Sequence, residues 1–168
     1  MSQNIISEEL VVFVLTASTF FVGIIAGLFF SYSVSVVLAF EYLSASEYTT
    51  AIQTINEVIL NAAFGVVFAG SIVMSSVSAA TILLRGEWMA QYGQLVLVGT
   101  VIYLVGTIAV TMAIHIPMNE YIETWSPSSP PDDWTAVRAR WARWNHVRTM
   151  ASIVAFVVYL AALVSFSV

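Results

Sequence analysis

The stretch LVVFVLTASTFFVGIIAGLFFSYSVSVVLAF, residues 10–40, runs for 31 residues without a charged side chain. A hydrocarbon core about 30 Å thick is crossed by about 20 helical residues. This run would reach roughly 46 Å at a rise of about 1.5 Å per residue, so it spans the core and continues beyond it. Three more uncharged apolar runs follow, at 58–84, 95–116 and 149–168. The whole chain is 60% hydrophobic and 9% charged, with a mean hydropathy of +0.90, whereas a water-soluble domain carries about a quarter charged residues. So few charges cannot clothe a water-facing surface. The solvent is mostly lipid, and residues 1–168 read as one membrane domain with four spans.

The connections are short, which makes consecutive spans antiparallel neighbours. The predicted fold is therefore all-α: an integral membrane, antiparallel four-helix bundle. One end should project from the bilayer. Ser44 and Glu47 have the spacing of a capping box, and EYTTAIQTINEV (47–58) then runs at helical period into span 2. Likewise Pro130 and Pro131 break the chain, Asp132 and Asp133 suit a helix start, and DDWTAVRARWARWNHVRTM (132–150) leads into span 4. Neither an inverted repeat nor a broken helix is visible, which argues against a transporter.

Composition removes whole classes of function. There is no Cys, hence no disulfide, thiolate metal site or thiol catalysis. Lys is absent too, which excludes Schiff-base and P-loop chemistry. The net charge is -5 and most of the Arg residues sit in one segment, which does not make the broad basic face that nucleic acid requires. The start, MSQNIISEEL (1–10), has two Glu and no basic residue, unlike a cleaved signal peptide, so span 1 is expected to be retained. Four of the five Arg (138, 140, 143, 148) flank the 3–4 connection and Arg85 alone lies between spans 2 and 3. The positive-inside rule then puts the 1–2 and 3–4 loops in the cytoplasm and both termini outside the cell membrane.

Polar stripes run along the spans. Span 1 carries Thr19, Gly23, Gly27, Ser31 and Ser35; such small residues let backbones approach, within the bundle or across a dimer. Span 3 carries Tyr103, Thr107, Thr111, His115 and Asn119, and span 4 answers with Asn145, Thr149, Ser152 and Tyr159. Span 2 offers Glu57, Asn61 and Gly65 on one face. In lipid, polar groups turn toward the bundle interior, and large or ionisable ones there suggest a functional site. Asn56, Asn61, His115, Asn119, Asn145 and Arg148 all fall near one boundary, as either a pocket or a structural polar layer. Arg148 either snorkels to lipid phosphate or faces inward, with Glu57 or Glu120 as partner. Trp125, Trp134, Trp141 and Trp144 suit an interfacial belt, with Trp88 and Tyr92 at the other face. Trp141 also shares a face with Asn145 and Arg148, so it could wall a pocket. No Glu-x-x-His pattern occurs, so no metal ligands are predicted.

Three blocks, QTINEVILN (53–61), VGTIAVTMAIHIPMN (105–119) and WARWNHVRTM (141–150), resemble the anthrone-oxygenase-like family of small four-helix membrane proteins. GLFFSYSV (27–34) in span 1 fits as well. The matching positions are Gln53, Asn56, Asn61, Thr111, Pro117, Asn119, Trp144, Asn145, His146, Arg148 and Thr149. His115 stands where the family usually has Asn, and Ala62 where Pro is common. The resemblance implies a cofactor-independent, oxygenase-like enzyme acting on a hydrophobic phenolic or polycyclic compound, since characterised fungal members oxidise anthrones to anthraquinones. On that reading His146 or His115 is the base and Arg148 steadies the substrate anion. Asn56, Asn61, Asn119, Asn145, Trp141 and Trp144 bind substrate, and no cofactor is predicted. The expected partners are the lipid bilayer and a hydrophobic small-molecule ligand. His146 is the first candidate base because it belongs to the motif. The competing reading is a non-enzymatic membrane subunit, or a lipid- or quinone-binding module, whose polar layer only locks helix packing.

Overall fold

The structure, a computed structural model, describes residues 6–167. Residues 1–5, which carry part of the segment read as lacking a signal peptide, and Val168, the end of the fourth expected span, lie outside the described residues. Five helices form: α1 (Glu8–Phe40), α2 (Ala45–Ile59), α3 (Ala62–Arg85), α4 (Gln91–Glu123) and α5 (Trp134–Ser167). Of these, α1, α3, α4 and α5 are long and apolar enough to cross a membrane. They make an antiparallel four-helix bundle in which α5 packs on α1 and α4, and α3 packs on α1 more closely than on α4. At 33 residues each, α1 and α4 exceed the roughly 20 needed for a span. Together with α2 and the first half of α5 they build the projecting end.

Local chemistry sets the helix ends. Ser7 accepts a hydrogen bond from the Leu10 amide at 3.3 Å, opening α1. Ser44 and Glu47 form both halves of the capping box that opens α2. Donation from the Ser44 hydroxyl and amide holds the Glu47 carboxyl below the usual carboxylate range. Gly86, at φ 70°, closes α3 in the left-handed region that glycine adopts without strain. At this far end Arg85 pairs with Glu87 at 2.6 Å and also reaches the Ile6 carbonyl.

One expectation is corrected here. The segment from Ser44 into the membrane is not one helix: it breaks at Leu60–Asn61. Leu60 leaves helical geometry at ψ 45°, and Asn61 restarts the helix as an extended N-cap. The Asn61 carbonyl accepts from the Phe64 amide and its amide donates to the Val58 carbonyl, each at 3.0 Å. A capping Asn offers the backbone an alternative to continuing the helix. The broken helix that the sequence hid is therefore present. It also turns Glu57, Asn61 and Gly65 to exposed positions, and the inward face of α3 is instead Ser71, Ser75 and Ser78.

Inside the bilayer the core joins Val22, Ile25, Ile82 and Val96 to the buried rings of Tyr103 and Tyr159. Hydroxyls tie the helices across it. Tyr103 donates to Ser71 at 2.6 Å, Tyr159 meets Thr100 at 2.7 Å, and Ser18 meets Ser78 at 2.6 Å. Apolar tails supply no hydrophobic drive between helices, so such bonds and close packing do the joining. The projecting end has its own core, built from Phe40, Tyr48, Ile52, Ile122, Trp125 and Trp141. Trp125 and Trp141, expected in an interfacial belt, are buried there because their faces turn onto this cluster; Trp88 is exposed as expected. Burial pushes the Tyr48 phenol up to about 12. Gln53 clamps α2 to the end of α4, donating to the carbonyls of Ile122 and Trp125 at 2.9 and 3.0 Å.

The small-residue stripe of α1 packs internally at Gly23, where an added Cβ would lie 2.7 Å from the Phe156 ring, but Gly27 faces open space. The tightest side-chain approach of this kind is at Gly106, whose added Cβ would sit 2.5 Å from the Ala151 Cβ. Overpacking of this kind costs about 1–3 kcal/mol. Gly106→Ala is therefore expected to lower the melting temperature in detergent, whereas Gly27→Ala leaves it unchanged. Equal melts for the two variants would contradict the close α4–α5 contact.

Candidate functional site

The polar stripe of α4 follows from its backbone. Residues four apart advance about 400° in an α-helix, so a strict fourth-residue stripe drifts by about 40° per step. In α4, residues Leu104–Ala109 and Thr111–His115 adopt the wider π turn, which reduces that drift and keeps Tyr103, Thr107 and His115 buried on one face. A third π segment, Tyr32–Val36, lies in α1. Such segments recur at functional sites, and here two of them meet at the same level.

Between them is a chamber of about 230 Å³. Its walls come from all four spanning helices and from α2: Phe29 and Tyr32 of α1, Asn56 of α2, Phe64 and Phe68 of α3, His115 and Asn119 of α4, and Trp141 and Arg148 of α5. It adjoins an outer vestibule of about 370 Å³ that shares Asn56, Leu60, Ile116 and Asn119 and carries Glu57, Glu120 and Glu123.

Arg148 is buried at 7% exposure. Its Nε and Nη2 both donate to Asn145 Oδ1, at 3.1 and 2.9 Å. Its guanidinium lies 4.1 Å from the Phe29 ring centre and 5.6 Å from that of Trp141. Among the described residues no carboxylate pairs with it. The expected partners Glu57 and Glu120 stay exposed at the vestibule, because they sit a turn beyond the boundary where water solvates them. Asn145 in turn donates to Ser33 at 2.9 Å, and the Ser33 hydroxyl meets that of Thr149 at 2.8 Å. This buried relay fixes Arg148 against the π segment of α1. A buried cation held by neutral groups alone is costly and suits an anionic ligand.

His115 is 1% exposed and stands edge-on to Trp141 at 5.3 Å. Neither ring nitrogen completes a hydrogen bond, although the backbones of Val110 and Trp141 are close enough to act on it electrostatically. Buried polar groups are almost always partnered, so an orphan imidazole at a chamber wall is an opening for a ligand. Trp141 is held by Asn119, whose carbonyl accepts from the indole nitrogen at 2.9 Å. Asn56 donates to Glu123 at 3.0 Å.

Of the residues the sequence singled out, His115, Arg148, Asn56, Asn119 and Trp141 line the chamber, and Asn145 lies directly behind Arg148. Three do not reach it. Asn61 caps α3, His146 is exposed, and Trp144 is half-buried away from the chamber. Sequence reasoning passed over Tyr32, Phe29, Phe64 and Phe68. Only Tyr32, a polar-tipped ring within an apolar span, carried a signal. Among the described residues no three His, Asp or Glu side chains gather as a metal-ligand set.

These features define a multi-pass membrane protein with an aromatic, cation-bearing chamber at one end of its bundle. The anthrone oxygenase family model matches residues 60–158, more than half of the chain, and the chain belongs to that family. The matched part contains His115, Asn119, Trp141, Asn145 and Arg148; α1 and Asn56 lie outside it. No curated protein and no solved structure matches the chain.

Proposed function

We propose that this single membrane domain is an oxygenase that binds a hydrophobic phenolic or polycyclic compound in the chamber and oxidises it with molecular oxygen. The observation that carries the reading is the pairing of a buried, carboxylate-free Arg148 with an unpartnered His115 on one aromatic-walled cavity. A neutral imidazole removes a proton from an activated CH2 group, and Arg148 stabilises the resulting enolate or phenolate oxygen. The electron-rich carbon then reduces O2, the carbon–oxygen bond forms, and loss of water leaves a ketone. The balance is CH2 + O2 → C=O + H2O. His115 takes the role of base, since it is the imidazole that faces the chamber. The name of the family, anthrone oxygenase, supports this chemistry. The test is oxygen uptake by the purified protein with an anthrone and with one- and two-ring analogues carrying the same activated CH2. Uptake no faster than in protein-free membranes with every compound would refute the proposal.

The second reading, a non-enzymatic subunit, is favoured by the Ser33–Asn145–Arg148–Thr149 relay, which joins α1 to α5 whether or not a ligand binds. It predicts no uptake together with loss of folding when Asn145 is replaced.

The domain is proposed to sit in the cell membrane with both termini outside, on the Arg asymmetry already described. Fusions at either terminus are expected to be active with an exported reporter and silent with a cytoplasmic one. The opposite pattern would invert the orientation.

A further inference from the structure

We propose that the chamber receives its ligand sideways from the bilayer, between α3 and α4, and that this ligand is a phenol of one or two rings bearing an alkyl tail. The inference rests on the chamber reading above and specifies the substrate class. The first argument is size. Benzene fills a cavity of about 150 Å³. On that scale the 230 Å³ of the chamber holds about nine or ten heavy atoms, whereas three fused rings need about 350 Å³. A third ring would have to lie in the vestibule among Glu57, Glu120 and Glu123, whose carboxylates keep water there.

The second argument is where the walls are open. α3 packs on the Gln91–Tyr103 part of α4, and α2 packs on its Ile116–Glu123 part. The π-helical stretch between them has no comparable packing on either helix. At that gap the break in the second span leaves Leu60 78% exposed while it still lines the chamber, and Ile116, opposite, is 39% exposed. An apolar window thus faces lipid. The third argument is depth. Leu60, His115 and Arg148 lie at the ends of the apolar runs 58–84, 95–116 and 149–168, the level at which an amphipathic ring rests with its polar tip at the interface. A tailed phenol at that level needs only to move laterally: its oxygen reaches Arg148 and His115, and its tail remains in lipid past Leu60 and Ile116.

The experiment titrates the full-length protein in lipid nanodiscs with phenol, 4-nonylphenol, 1-naphthol and 2-anthrol, subtracting partition into protein-free nanodiscs. 2-Anthrol is expected to bind at least tenfold more weakly than 1-naphthol. Leu60→Trp and Ile116→Trp, at exposed positions, are expected to raise the ratio of Kd for 4-nonylphenol to Kd for phenol at least fivefold. Equal binding of 2-anthrol and 1-naphthol overturns the ring limit, and an unchanged ratio in both variants overturns the lateral route. In either case the chamber reading stands. If no phenol binds the wild-type protein, that reading falls as well.

Discussion

His115→Ala is expected to reduce oxygen uptake by about 100- to 10,000-fold, the usual contribution of a general base, without loss of the fold. The two halves of this expectation have one cause. An imidazole with both nitrogens unpartnered contributes no hydrogen bond to stability, and burying such a group is unfavourable. Its removal leaves no protein donor or acceptor orphaned. The melting temperature in detergent should therefore stay level or rise while turnover collapses. A residue kept for packing alone would show the reverse, since trimming a buried ring opens a cavity that costs stability. His115→Asn separates binding from proton removal: the amide can hydrogen-bond a ligand oxygen but is no base, so Kd is retained and kcat falls. His146→Ala, on the exposed face of α5, is expected to leave uptake within twofold of wild type. Full activity in His115→Ala would remove imidazole from the mechanism.

Arg148→Gln is expected to lower uptake by about 100- to 1,000-fold, the range seen when one stabilising donor of a developing oxyanion is lost. Gln retains an amide that can donate to Asn145 Oδ1, so the relay to Ser33 and Thr149 keeps a partner. The charge is gone, and with it the desolvation cost of a buried guanidinium. Thermal stability should be close to that of wild type. Asn145→Ala makes the complementary measurement. It leaves Arg148 charged but unanchored and orphans the Ser33 contact, so both stability and activity should fall. Unchanged uptake in Arg148→Gln would leave the polar layer with a structural role only.

The bundle was legible because lipid demands long uncharged runs, and nothing else in a chain of this composition explains four of them. The inward faces of α4 and α5 were legible for the same reason: polar side chains there have only the bundle interior to turn to. The second span was not. A capping Asn and a cavity Asn look alike in sequence, and Asn61 went to the helix end. His146 and Trp144 misled through adjacency. Each is one residue from Asn145, hence about 100° around the helix, while Trp141 and Arg148 fall within about 60° of it. The matching motif brought all five residues together on the page, but the helix admits only three of them to the interior. The partner of Arg148 was missed because opposite charge is the first thing one looks for, and the chain supplied a neutral amide.

The interruption at Leu60–Asn61 also has a mechanical side. A continuous helix passes tilt from one end to the other as a stiff rod does; two rods meeting at a pair of non-helical residues do not. When bilayer thickness changes, spanning helices accommodate by tilting, and α3 can pivot about this joint while α2 stays bolted to α4 through Gln53. Membrane strain is thus borne by α3 and stops short of the roof over Arg148 and His115.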